Sequence, residues 1–154
     1  MRAGLVLALF AALPLAGCHE EAAKTNAGVQ EPRVSDAWVR LAATPSSPSA
    51  AYFTIHGGKG DDQLTGVTSP QAAHAEMHET MSGMHGMAMM TPLSRLPVPA
   101  GSTLVFAPAG RHVMLFGLDP AVTPGREIRL DLAFASGRTL SAQARVRAMG
   151  DDGQ

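Results

Sequence analysis

Arg126-Glu127-Ile128-Arg129-Leu130-Asp131-Leu132-Ala133-Phe134 is the stretch that decides the fold. Apolar side chains fall on 128, 130, 132 and 134, with polar or small ones between them. That two-residue period belongs to a strand with one face in a core and the other in water. Ser136-Gly137 follows as a hairpin signal, and residues 139–146 return as the partner strand. Upstream, 111–117 reads as a strand after the Pro108-Ala109-Gly110 turn, and 103–106 as a short one after Ala100-Gly101. Pro92, Pro97 and Pro99 rule out a long helix before it. Further back, 34–40 alternates, Thr44-Pro45-Ser46-Ser47-Pro48-Ser49 is a loop, and 50–56 is a strand stopped by Gly57-Gly58. Residues 63–68 and 72–79 supply a third and fourth strand. Eight or nine short strands without a helix predict an all-β antiparallel sandwich or barrel. Sixteen glycines and eleven prolines with few aromatics agree with that class. Trp38 and Tyr52 are expected in its core.

The 154 residues suit one domain plus an appendage. A formal charge of −1 offers no basic face to nucleic acid. At the start, Arg2 precedes the apolar run 5–13, which is too short to span a membrane as a mature helix, and Leu15-Ala16-Gly17-Cys18 ends it. This resembles a bacterial lipoprotein signal, in which 1–17 would be removed and Cys18, the chain's only cysteine, would carry the lipid. The expected location is the periplasmic side of a bacterial membrane, held by the lipid anchor. Residues 18–32 are polar and irregular and read as a flexible tether, with a root-mean-square reach of roughly 20 Å. The folded domain should cover 33–148, leaving 149–154 as a tail.

Function concentrates between Met77 and Met114. Met77-His78-Glu79-Thr80-Met81-Ser82-Gly83-Met84-His85-Gly86-Met87-Ala88-Met89-Met90 opens the span and Arg111-His112-Val113-Met114 closes it. Residues 81–90 lack the apolar period of a core strand. Thioether sulfur is soft and suits Cu(I), and imidazole accepts several late transition metals; zinc prefers thiolate, imidazole and carboxylate, and calcium and magnesium prefer oxygen. His112 and Met114 lie two apart on a strand and so share a face, their Cα atoms roughly 7 Å apart. His78 shares a face with His74 and Glu76, while Met77 points the other way. Met89 and Met90 follow a glycine-punctuated loop and can fold back toward His78. Met81, Met84, His85 and Met87 are candidates for additional contacts, including Cu(II) at secondary sites. His56 and His74 read as surface or structural.

These residues resemble the periplasmic copper chaperone family PCuAC. Its motif is a His, ten residues, a Met, twenty-one residues and His-x-Met. His112-Val113-Met114 matches the final triplet, and Met90 stands twenty-one intervening residues upstream. Eleven residues separate His78 from Met90, one more than the motif has. The third ligand is therefore open between Met90 and Met89, and the register of Val98-Pro99-Ala100-Gly101 favours Met90. Asp36-Ala37-Trp38-Val39-Arg40, Ala50-Ala51-Tyr52-Phe53-Thr54-Ile55 and Leu115-Phe116-Gly117-Leu118 resemble family landmarks too. The resemblance implies a cupredoxin-like Greek-key fold, a Cu(I) site made by His78, Met90, His112 and Met114, and copper delivery toward the Cu(A) centre of cytochrome c oxidase.

No Gly-x-Ser-x-Gly or phosphate loop marks an enzyme. A blue-copper electron carrier would need a cysteine ligand, and Cys18 belongs to the signal. The expectation is a monomeric Cu(I) metallochaperone whose partner is a copper-accepting protein, the oxidase Cu(A) subunit. The alternative is a copper storage or resistance lipoprotein without that partner.

Overall fold

A computed structural model describes residues 31–82 and 88–151. Ten strands and no helix occur among them: β1 (Arg33–Arg40), β2 (Ser49–His56), β3 (Asp62–Thr68), β4 (Ala72–Ser82), β5 (Ala88–Leu93), β6 (Leu96–Val98), β7 (Thr103–Phe106), β8 (Arg111–Leu118), β9 (Glu127–Phe134) and β10 (Thr139–Arg147). Hydrogen bonding runs in the order β5-β4-β8-β2-β1-β10-β9-β3-β6, and β7 also pairs with β2. The result is an all-β, cupredoxin-like sandwich. Its sheet is mixed, not wholly antiparallel: β1 and β10, the first and last strands, run parallel. Parallel neighbours need a long connection, and here the rest of the domain supplies it.

β9 behaves as its period requires. Ile128, Leu130, Leu132 and Phe134 are buried, and Glu127, Arg129 and Ala133 are exposed. They join Val39, Phe53, Ile55, Leu64, Val113, Leu115 and others in a single interior. Pro92 and Pro97 sit inside strands, which sequence reasoning did not anticipate. Both strands, β5 and β6, are at the ends of the sheet order, where a missing N–H costs no ladder bond.

Trp38 corrects an expectation, while Tyr52 is buried as expected. They face each other across β1 and β2, but neither joins the core cluster. The cause is a bulge between Ser35 and Trp38, where Asp36 adopts φ 53°. Two residues there oppose one, and the extra residue reverses every later side chain. Val39 turns inward and is fully buried, so Trp38 turns outward. Its ring packs on Tyr52 with centroids 4.5 Å apart. Arg147 covers Trp38 and Arg40 covers Tyr52. Tyr52, 2% exposed, is buried beneath this layer.

The signal 1–17, Cys18 and the tether up to residue 30 lie outside the described residues, as do Met84, His85 and Met87.

Candidate metal centre

The centre is built on β4 and β8, which run antiparallel with His78 directly opposite His112 and Glu76 opposite Met114. Met77 and Val113, the inward neighbours, are buried at 5% and 0% exposure. Strand alternation therefore turns His74, Glu76, His78 and Thr80 to the outer face of β4, and His112, Met114 and Phe116 to the same face of β8. On the other side of β4, Met90 of β5 stands opposite Thr80 and Met89 opposite Met81. Met90 thus shares the imidazole face. Met89 and Met81 share the reverse face, 59% and 51% exposed.

The two imidazole centroids are 6.0 Å apart with the rings 25° from parallel. Met114 is one step along the face toward Glu76, and Met90 one step the other way, beside Thr80. Neighbours at such diagonal or two-residue offsets have Cα atoms roughly 7–8 Å apart, within reach of long flexible thioethers. A cleft of about 240 Å³ opens beside His112, lined by Met90, His112, Met114, Thr80, Tyr52 and Ala109 among others; His78 is not one of its lining residues. Sequence reasoning missed Thr80, Tyr52 and Ala109. Tyr52 was findable from the Ala50/Tyr52 alternation against Ala51/Phe53, but the bulge in β1 hid its partner.

Each imidazole has one nitrogen occupied. His112 is only 8% exposed. Its Nδ1 lies 3.0 Å from the carbonyl oxygen of Gly110. A carbonyl only accepts, so Nδ1 carries the proton and Nε2 keeps its lone pair. The same carbonyl accepts the Thr80 N–H at 3.1 Å, so the β7–β8 turn holds both the ring and β4. That turn includes Ala109 at φ 61°. His78 is the mirror case: Nε2 lies 3.1 Å from Glu76 Oε2. Its Nδ1 is buried without a hydrogen-bond partner, an orphaned atom of the kind a metal satisfies. Among the described residues no three His, Cys, Asp or Glu groups gather to hold an ion. A metal at the imidazole pair would draw on the thioethers, and two neutral nitrogens with two neutral sulfurs suit a soft cation.

The other two histidines named as structural have local partners. His56 Nε2 bonds the Ser35 hydroxyl at 3.0 Å. The His74 ring stacks on Phe116, centroids 4.4 Å apart and planes 2° from parallel.

Fold and site together define a cupredoxin-like domain with a His/Met constellation on its outer face. The family model described as "Putative lipoprotein LpqE-like" matches residues 33–146. A relative from Leifsonia xyli subsp. xyli, "Putative lipoprotein Lxx21020", is 36% identical over 144 residues, covering 90% of this chain and 84% of its own. The chain belongs to this LpqE-like lipoprotein family. Among solved structures it is similar to the copper-bound PCuAC domain from PmoF2, with a TM-score of 0.63 at 20% identity, covering 79% of this chain and 96% of that one. It is also similar to the Cu(I) form of DR1885 from Deinococcus radiodurans, with a TM-score of 0.56 at 27% identity, covering 88% of this chain and 89% of that one. The resemblance to PCuAC read from the sequence is borne out.

Proposed function

We propose that this protein is an extracytoplasmic copper metallochaperone that holds Cu(I) between His78, Met90, His112 and Met114. The observation that carries the reading is the directly opposed His78–His112 pair with Met114 and Met90 flanking it on one sheet face. All four donors are neutral and soft enough to favour Cu(I) over zinc, calcium or magnesium. Kinship adds support: DR1885 is described with Cu(I) bound, and the matching family and relative are described as lipoproteins. Lipid on Cys18 would hold the domain on the periplasmic side of a membrane.

The site favours cargo over a resident cofactor. Met90 is 59% exposed and lies on an edge strand, where an incoming partner's ligand can replace it. His112 and Met114 are on an inner strand and would let go last. The recipient proposed is the Cu(A) centre of cytochrome c oxidase. Anaerobic Cu(I) titration against a chelator tests the site. Wild type binds one ion tightly, and a His112→Ala/Met114→Ala variant that matches it would refute the assignment. Anaerobic transfer from the loaded protein to a purified Cu(A) domain tests delivery. The exposed Met81–Met89 pair favours a second reading, copper storage or resistance; binding of more than one Cu(I) with no transfer would establish that one instead.

A further inference from the structure

Hydrogen bonding at the centre assigns a role to a residue that is no ligand. The carboxylate of Glu76 approaches His78 Nε2 at 3.1 Å through Oε2 and His74 Nε2 at 3.8 Å through Oε1. His74 is itself clamped flat on Phe116. Glu76 therefore stands between two imidazoles on one strand face, one of them fixed by a ring stack. An ionised carboxylate has no proton to give. Its bond to His78 requires a protonated Nε2 and leaves the lone pair on Nδ1, the atom that is buried without a partner. Across the ladder the opposite holds: Gly110 O accepts a hydrogen bond from Nδ1–H of His112, which leaves the lone pair on Nε2.

We infer that Glu76 is a positioning residue that fixes the tautomer and ring orientation of His78, so that the two histidines present different nitrogens to the metal, Nδ1 from His78 and Nε2 from His112. This rests on the copper reading above. The mixed presentation has a geometric basis. The Cα atoms of directly opposed residues stand only about 4.5–5.5 Å apart. If both rings offered Nε2, both would reach the same distance from the sheet and crowd each other. With one near and one far nitrogen, the two rings can approach an ion from different heights; their centroids stand 6.0 Å apart with the planes 25° from parallel. A carboxylate on the far nitrogen also raises the basicity of the ligating one, and loss of such a partner typically costs 10–100-fold in metal affinity.

Two variants and one spectroscopic measurement test it on the intact domain. Nitrogen-15 NMR of the histidine rings should show apo His78 protonated at Nε2 and apo His112 protonated at Nδ1. On loading with Cu(I), the metal-induced shift should fall on Nδ1 of His78 and Nε2 of His112. Glu76→Ala should scramble the His78 tautomer and weaken Cu(I) binding by about 10–100-fold. Glu76→Gln, whose amide oxygen can still accept from Nε2–H, should restore the tautomer and most of the affinity. The Glu76 side chain is about half exposed, so both variants should fold. A metal-induced shift at His78 Nε2, or a Glu76→Ala protein with wild-type affinity and tautomer, overturns the inference and leaves the copper site standing. Loss of neither affinity nor shifts in His112→Ala/Met114→Ala would overturn the copper reading itself.

Discussion

At the scale of single residues, one position decides which sulfur faces the imidazoles. Counting along the chain leaves Met89 and Met90 both open, because the segment has one residue more than the PCuAC motif. Pairing removes the tie in geometry: Met90 is opposite Thr80 and Met89 is opposite Met81, and adjacent strand residues point to opposite faces. The two methionines are equally exposed, at 59% each, so exposure does not separate them and a direct comparison of variants does. Leucine keeps the volume and removes the donor. Met90→Leu should weaken Cu(I) binding at least about tenfold, on the scale of a lost metal-site contact, and Met89→Leu should leave the first equivalent unchanged. Competition titration with a Cu(I) chelator reads both. Equal effects would mean the hairpin re-registers on loading.

Among the elements, much was legible where a pattern is local and little where it depends on distant pairing. β9 could be read outright because its partners bury every second residue. The His112/Met114 face was legible for the same reason. β5 was not, since Pro92 and the run of methionines carry no alternation; its strand character comes from hydrogen bonding to β4 and from its place at the sheet edge. The fourth strand, expected to end at residue 79, continues to Ser82, and β5 begins at Ala88, where the sequence offered no strand. Trp38 was misplaced because a bulge leaves no mark in a short sequence window. Gly57, in contrast, was recognised only as a strand stop, and the structure gives it a stronger reason. A Cβ there would lie 2.3 Å from the Pro99 carbonyl oxygen, while the Gly57 N–H donates to Ser102 at 2.8 Å and Gly101 N–H to Gly58 at 2.9 Å. This junction sets β7 against β2. Gly57→Ala should cost about 1–3 kcal/mol or more as overpacking against backbone, seen as a Tm fall of roughly 5–10 °C. Unaltered melting would mean the two turns separate freely.

For the whole molecule, the sandwich has a clasp away from the candidate metal cleft, and its strength depends on pH. Asp62 opens β3. Its Oδ2 accepts the Ser136 hydroxyl at 2.6 Å, and its Oδ1 accepts the backbone N–H groups of Gln63 at 2.8 Å and Ser136 at 3.2 Å. These bonds tie the start of β3 to the turn of the β9–β10 hairpin. They hold the Asp62 carboxyl below its ordinary range, the Ser136 hydroxyl contributing most, against a partial opposing effect of burial and with help from Arg138. A carboxyl with a lowered folded-state pKa binds its proton more readily in the unfolded chain. Its contribution is complete above the unfolded aspartate range, near pH 4, and is lost as pH falls through the lower folded value. Wild type should therefore lose stability on acidification across that interval. Asp62→Asn, whose amide oxygen keeps an acceptor but has no charge to titrate, should be less stable at neutral pH and show a flatter acid limb. Because none of these groups lines the cleft, Cu(I) affinity at neutral pH should be the same in both proteins. Denaturant unfolding at several pH values, paired with Cu(I) titration at pH 7, separates the two. Parallel acid limbs would show that other carboxyls govern acid stability, and a joint loss of copper affinity would show that the clasp and the cleft are mechanically linked.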